Sequence, residues 1–158
     1  MFSIQITQSL AVARYVGRKY GLFASDEMSL ARQDMVEQQL IDLQTQHFFL
    51  GVLFNPDFEK AKADFIKTTL PDQLGLLSKF LGERQWLTGN QLTYVDFLAY
   101  EALDWMRVFA PGCLSSFPNL SQLMERFEKI PQIAAYLKSG EYKDWPLFGP
   151  MAPWGFFK

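Results

Sequence analysis

The sequence predicts an all-α protein, a bundle of about seven helices with a residual strand at its N terminus. Apolar residues recur at helical spacing through most of the chain, and Gly, Pro or Asp residues mark the breaks between these segments. The segment from Tyr94 to Ala110 has neither Gly nor Pro, and its polar groups are mainly Glu101, Asp104 and Arg107. So narrow a polar stripe is typical of the central helix of a bundle.

Composition excludes several classes of protein. The chain has 158 residues, of which 49% are hydrophobic, and this indicates one globular domain with a proper core. A net charge of −2 without a basic cluster argues against nucleic acid as a partner. The longest apolar run, Phe48 to Phe54, is too short to cross a membrane, and the first residues lack the basic and apolar regions of a signal peptide. Cys113 is the only cysteine, which fits a reducing cytoplasm.

The predicted central helix begins with a capping box. Thr93 and Asp96 have the Ser/Thr-x-x-acid spacing of this motif, in which each residue satisfies the other's backbone donor. An ordinary surface cap would show the same spacing. The residues on the same side of the helix as Asp96 are mostly apolar, however, so we expect a buried carboxylate held by the backbone of the first turn.

The other elements follow in order along the chain. Residues Phe2 to Thr7 alternate apolar and polar side chains, as a strand does, and the first helix is predicted from Leu10 to Tyr20. Further helices are predicted from Asp26 towards Phe54, from Asp57 to about Thr68, from Pro71 to about Gly82, from Phe117 onward, and from Pro131 to about Lys138. From Gly140 the chain is rich in aromatic residues, which predicts an ordered tail packed over the bundle.

Residues with catalytic chemistry are few. His47 is the only histidine and lies among Gln46, Phe48 and Phe49 on a predicted helix, where a structural or half-exposed histidine is more common than a catalytic one. No spacing of Cys, His or carboxylates indicates a metal site. Gln8 and Ser9 lie where the strand meets the first helix, and unpaired backbone donors at such a place bind carboxylates. The alternative is that Ser9 only caps that helix.

Several motifs resemble one enzyme family. The segments Thr7–Ser9, Ala11–Tyr15 and Trp86–Phe97 resemble the corresponding segments of cytosolic glutathione transferases. Those at Asn55–Glu59, Phe117–Leu120 and Met151–Gly155 are similar to the mu class in particular. The resemblance covers almost the whole chain and keeps the order of the motifs. The sigma class is the alternative, because Gln8–Ala11 and Lys19–Leu22 suit it too.

The resemblance implies a function and its residues. A mu-class glutathione transferase is a cytoplasmic homodimer that conjugates glutathione to hydrophobic electrophiles for detoxification, with glutathione as co-substrate and without metal or other cofactor. Gln8 and Ser9 would hold the γ-glutamyl end of glutathione, and Asp42 would reach the glutathione amino group in the partner subunit. Phe54, Phe148 and Gly149 would line the electrophile site.

The sequence also departs from that family. Residues 1–9 match only the last piece of its thioredoxin-like domain, and residues 10–158 match the helical domain. The tyrosine that stabilises the glutathione thiolate belongs to the thioredoxin-like domain, so no catalytic residue is expected in this chain. We expect a truncated chain that is weakly active or inactive alone. Phe54 stands where mu-class enzymes have a tyrosine, and the helix before it is about two residues longer than usual.

A second function is compatible with the same sequence. Some relatives of this family use the helical domain for assembly without catalysis, and this chain would then be a scaffold protein. Retention on immobilised glutathione would favour the enzyme, and stable oligomers that do not bind glutathione would favour the scaffold.

Overall fold

The computed structural model describes residues 5–156, which form a helical bundle. Its α-helices are α1 (Ser9–Lys19), α2 (Glu27–Ile41), α3 (Phe58–Asp64), α4 (Leu70–Leu81), α5 (Tyr94–Phe109), α6 (Pro118–Glu128) and α7 (Pro131–Leu137). Two π-helical segments, π1 (Asp42–Leu53) and π2 (Phe65–Thr69), continue α2 and join α3 to α4. The predicted all-α class is confirmed. Residues 5–7 of the predicted strand are irregular, and residues 2–4 lie outside the described part.

Helix α5 lies at the centre of the bundle. Its residues Val95, Ala99, Ala102, Leu103 and Met106 are completely buried. Helices α1, α2 and α6 pack against α5, and α4 packs on α6. The prediction of a central helix is confirmed, because apolar residues cover most of the α5 surface and most of them are buried.

The carboxylate of Asp96 joins the start of α5 to the preceding loop. Its Oδ2 accepts hydrogen bonds from the Thr93 backbone N–H at 2.8 Å and from the Thr93 hydroxyl at 3.2 Å, and Oδ1 accepts from the Leu87 N–H at 2.9 Å. Thr93 and Asp96 thereby form a capping box. Asp96 is only 1% exposed, and this burial raises the pKa of its carboxyl to about 6, against the opposing effect of the donors.

Two helices that the sequence predicted separately are one continuous helix. The break expected between Thr68 and Pro71 is wrong, because π2 carries the chain from α3 into α4. The N–H of Leu70 bonds to the carbonyl of Phe65, five residues earlier, so the chain stays helical up to Pro71. Pro71 lies in the first turn of α4, where its fixed φ suits a helix. The segment between α3 and α4 is therefore a wider helical turn and not a loop.

A buried carboxylate fixes α1 on the bundle. Glu37 of α2 is completely buried, and it accepts hydrogen bonds from Arg14 Nε of α1 at 2.9 Å and from the Tyr94 hydroxyl of α5 at 2.5 Å. Arg14 Nη2 makes a second contact with the same carboxylate. Burial would raise the pKa of Glu37, but the hydrogen bonds from Arg14 and Tyr94 outweigh it and lower that pKa. These three residues connect α1, α2 and α5.

Substitution of Asp96 tests the capping box. We expect Asp96→Ala to lower the free energy of unfolding by about 1–3 kcal/mol, because two buried backbone N–H groups lose their acceptor. Asp34→Ala, which removes an exposed carboxylate of α2, is the matched control and should change stability by less than about 0.5 kcal/mol. Urea unfolding of both variants measures this, and equal midpoints would contradict the role of Asp96.

Substitution of Glu37 tests the connection between the three helices. A carboxyl with a lowered pKa stabilises the fold above its unfolded-state value and loses that contribution as the pH falls through the folded value. We therefore expect Glu37→Gln to be less stable than the wild type at neutral pH. The difference should shrink when urea unfolding is measured at a pH below about 4. A difference that stays constant over this range would show that the charge of Glu37 does not hold the helices together.

Candidate functional site

Two of the residues expected at an electrophile site meet through a third aromatic ring. Phe49 of π1 stacks on Phe54, with ring centroids 6.2 Å apart, and meets the edge of Phe148 at 5.1 Å. Trp105 of α5 contacts both Phe49, at 5.8 Å, and Phe148, at 5.0 Å. Phe54 is 56% exposed, so the cluster opens to solvent on that side. We call these four rings the aromatic site.

The aromatic site continues into the core. Phe48 is completely buried below it and contacts Phe148 at 6.1 Å, Trp154 at 6.0 Å and Phe109 at 4.8 Å. Two successive residues of π1 therefore lie in different places, Phe49 in the aromatic site and Phe48 in the core. Edge-to-face contacts between rings stabilise such a cluster beyond the area that it buries. The rings of the site are consequently held by the same packing as the bundle.

The tail after α7 brings Phe148 to this place. The backbone N–H groups of Leu147 and Phe148 both donate to the Gly155 carbonyl, at 2.7 and 3.1 Å. The indole Nε1 of Trp145 donates to the carbonyl of Phe156 at 2.8 Å. Gly149, the third predicted electrophile residue, is exposed and directly follows Phe148. The prediction of an ordered tail over the bundle agrees with this arrangement.

The residues expected to bind glutathione lie at the start of α1. Gln8 is the residue before the helix and has a φ of 71°, and Ser9 is the first helical residue. Among the described residues no side chain caps α1, and Ser9 is the first helical residue, so it does not cap the helix as the alternative expected. Both side chains are exposed. The first N–H groups of a helix have no intrahelical acceptor, and together with the helix dipole they attract a carboxylate.

Asp42 belongs to a different helical segment. It is exposed at the junction of α2 and π1. Within residues 5–156, no hydrogen bond joins it to Gln8 or Ser9, and no basic side chain pairs with it. Its carboxylate is therefore exposed and unpaired in the described part of the chain.

Other reactive side chains are unsuited to activate a thiol or to attack a substrate. Burial and the neighbouring carboxylate of Glu37 raise the pKa of Tyr94, and burial together with Glu128 does the same for Tyr100. Burial also raises the pKa of the Cys113 thiol, which disfavours the nucleophilic thiolate. His47 lines a polar hollow between π1 and π2 with Gln46, Asn55 and Asp64.

The described residues show neither a metal site nor a membrane-spanning helix. Within residues 5–156, no three Cys, His or acidic residues are grouped so that they could hold a metal ion. No helix in that range has the length and apolar character that crossing a membrane requires.

The most useful residues that the sequence analysis missed are Phe49 and Trp105. They are distant in sequence and come together only when π1 packs on α5. The apolar run from Phe48 to Phe54 is evident in the sequence, but its spacing does not distinguish core rings from site rings. Adjacent residues of a helix point in different directions, so Phe48 and Phe49 could not both face the same part of the molecule.

Comparisons with known proteins agree with the fold and identify the family. The family model of the glutathione S-transferase C-terminal domain matches residues 42–140. Mouse glutathione S-transferase Mu 1 is 47% identical over 152 residues, which are 96% of this chain and 68% of the mouse protein. Human glutathione S-transferase Mu 1 is 44% identical over the same proportions.

Solved structures give the same result. The crystal structure of the glutathione S-transferase Blo t 8 superimposes with a TM-score of 0.87 at 33% identity, and the match covers 98% of this chain and 74% of that one. The pi-class glutathione S-transferase of Onchocerca volvulus gives a TM-score of 0.77 at 29% identity, over 85% of this chain and 65% of that one. The chain therefore belongs to the glutathione S-transferase family, and it is a glutathione transferase of the mu class.

Proposed function

We propose that the chain forms the electrophile site, and part of the glutathione site, of an enzyme that conjugates glutathione to hydrophobic electrophiles. The observation that carries this proposal is the meeting of Phe54 and Phe148 on Phe49, beside an opening to solvent. Flat apolar compounds bind well against exposed aromatic rings because both surfaces leave water. Gly149 borders the same site and leaves room for the compound.

Glutathione binds at the start of α1 in this proposal. The exposed side chains of Gln8 and Ser9, together with the uncapped first turn, hold the carboxylate of the γ-glutamyl end. The Arg14–Glu37 pair keeps α1 in the orientation that presents these donors. Asp42 is exposed and unpaired among the described residues, as suits a carboxylate that binds the glutathione amino group of a partner subunit.

The reaction is a nucleophilic substitution or addition by the thiolate sulfur. The thiol gives its proton to water as the thiolate forms, and the sulfur then bonds to the electrophilic carbon. In a substitution the leaving group departs with its electron pair, and in an addition the π bond to that carbon breaks and the neighbouring atom takes a proton from water. Binding both reactants side by side supplies much of the rate by proximity. By family resemblance, the tyrosine that stabilises the thiolate belongs to a thioredoxin-like domain of such an enzyme.

Phe54 sets a limit on the electrophiles. A tyrosine at this position could donate a hydrogen bond to an oxygen of the electrophile, and phenylalanine cannot. The described part of the aromatic site consists of hydrocarbon rings and the indole of Trp105. The proposed substrates are therefore aromatic electrophiles that react without a hydrogen bond from position 54, such as activated aryl halides.

The enzyme acts as a homodimer in the cytoplasm in this proposal. A hollow of about 170 Å³ between α2 and α4 is lined by Met35, Val36, Gln39, Leu76, Leu77 and Phe80. Met35 is 63% exposed and Leu76 is 54% exposed, which is costly for apolar side chains unless another surface covers them. A scaffold protein would use the same surface, but the named relatives at 44–47% identity are transferases.

A chimaera tests the transferase function. The matched region of mouse glutathione S-transferase Mu 1 is replaced by this chain, and conjugation of glutathione to an activated aryl chloride is followed by absorbance. We expect an active enzyme. Phe54→Ala should raise the KM for the aryl chloride by about twofold to tenfold, because one aromatic contact is lost, and leave the KM for glutathione unchanged.

Two matched variants complete that experiment. Ser9→Ala should raise the KM for glutathione and leave the KM for the aryl chloride unchanged. Tyr136→Ala removes an exposed ring of α7 away from the aromatic site and should change neither value. A folded chimaera that does not conjugate glutathione would reject the transferase and support the scaffold.

The proposed dimer is tested in the same chimaera by sedimentation. We expect Leu76→Glu to dissociate it, because a carboxylate would be buried without a partner in the contact between subunits. Tyr136→Glu places the same charge on another exposed apolar residue and should leave the dimer intact. A dimer that resists Leu76→Glu would show that the hollow between α2 and α4 is not in the contact.

A further inference from the structure

The tail folds back on itself at one glycine. Gly155 accepts hydrogen bonds from the N–H groups of both Leu147 and Phe148, and so closes the loop that carries Phe148. Gly155 is buried, while its loop neighbour Gly149 is exposed. The closing contact therefore lies on the inner side of the loop, against the ring of Phe148.

Gly155 leaves no room for a side chain. A Cβ atom added there would lie 2.5 Å from Cδ2 and 3.2 Å from Cε2 of Phe148. The φ of Gly155 is +90°, a conformation that side-chain-bearing residues rarely adopt. A Cβ added to Gly140, in contrast, meets no atom within 4 Å.

The ring of Phe148 has four aromatic neighbours. They are the rings of Phe49 at 5.1 Å, Trp105 at 5.0 Å, Trp154 at 5.9 Å and Phe48 at 6.1 Å. A methyl group on residue 155 would require the Phe148 ring to shift, and a shifted ring would change its contacts with Phe49 and Trp105 in the aromatic site. The absence of a side chain at position 155 thus allows Phe148 to lie where it does.

We propose that Gly155 is a positioning residue of the electrophile site, which holds Phe148 in place although it does not contact the electrophile itself. This role rests on the proposed function, because Phe148 is a wall of the site only if the aromatic rings bind the electrophile. Gly155 acts in two ways. Its carbonyl accepts the Phe148 N–H and so orients the backbone of Phe148, and its lack of a Cβ leaves space for the Phe148 ring. The tail therefore holds Phe148 in its position in the site before the electrophile binds.

The experiment measures binding of m-dinitrobenzene, an aromatic compound without a leaving group, to the purified chain. Nitroaromatic compounds quench indole fluorescence, and Trp105 and Trp154 both adjoin Phe148. We expect Gly155→Ala to weaken binding by about fivefold or more, because the displaced ring obstructs or opens the site. Gly140→Ala, with space for its methyl group, should bind as the wild type does, and far-UV circular dichroism should show the same helix content in both variants.

A second pair of variants separates positioning from backbone strain. In the Phe148→Ala background the clash with residue 155 is gone, but the strain of alanine at a φ of +90° persists. If Gly155 acts through Phe148, Gly155→Ala should then change the Kd by less than about twofold. Equal effects of Gly155→Ala in both backgrounds, or a Gly155→Ala protein that binds like Gly140→Ala, would overturn the positioning role and leave the electrophile site standing. A wild-type chain that does not bind m-dinitrobenzene would instead overturn the electrophile site and the positioning role together.

Discussion

The hydrogen bonds of the Asp96 carboxylate are the constraint on which the rest of the structure depends. They join the Leu87 and Thr93 N–H groups to the first turn of α5 and so determine the residue at which the central helix begins. A shift of one residue would rotate α5 by about 100° and move its buried face out of the core. The position of Trp105 in the aromatic site, and of Tyr94 above Glu37, follows from the same starting point.

The sequence was sufficient where the signal is local. The capping box needs only Thr93 and Asp96, three residues apart, and a helix without Gly or Pro needs only its own composition. The joined α3 and α4 could not be predicted, because a proline such as Pro71 usually indicates a break. The wider turn that carries the helix up to it, with the Leu70 N–H bonded to the Phe65 carbonyl, has no counterpart in the sequence pattern. Wider π-helical turns have no sequence pattern of their own. They also form the end of the helix before Phe54, which is about two residues longer than usual in the mu class.

The site was predictable only in part, and for a similar reason. Phe54, Phe148 and Gly149 came from resemblance to a family, while Phe49 and Trp105 emerged from contacts between distant segments. Nothing local to Gly155 showed that its missing side chain decides the place of Phe148. The start of α1 was visible as a strand-to-helix junction, but the role of Asp42 was expected only from the family resemblance.

The contacts of Phe48 have a consequence for how the enzyme can change over evolution. This one ring touches the core through Phe109 and the tail through Phe148 and Trp154, so a new shape at the inner wall of the site disturbs the packing of the whole bundle. Phe54 and Gly149 are exposed and carry little of that packing. A lineage that acquires new electrophiles should therefore vary at these two positions first, and keep the rings beneath them unchanged.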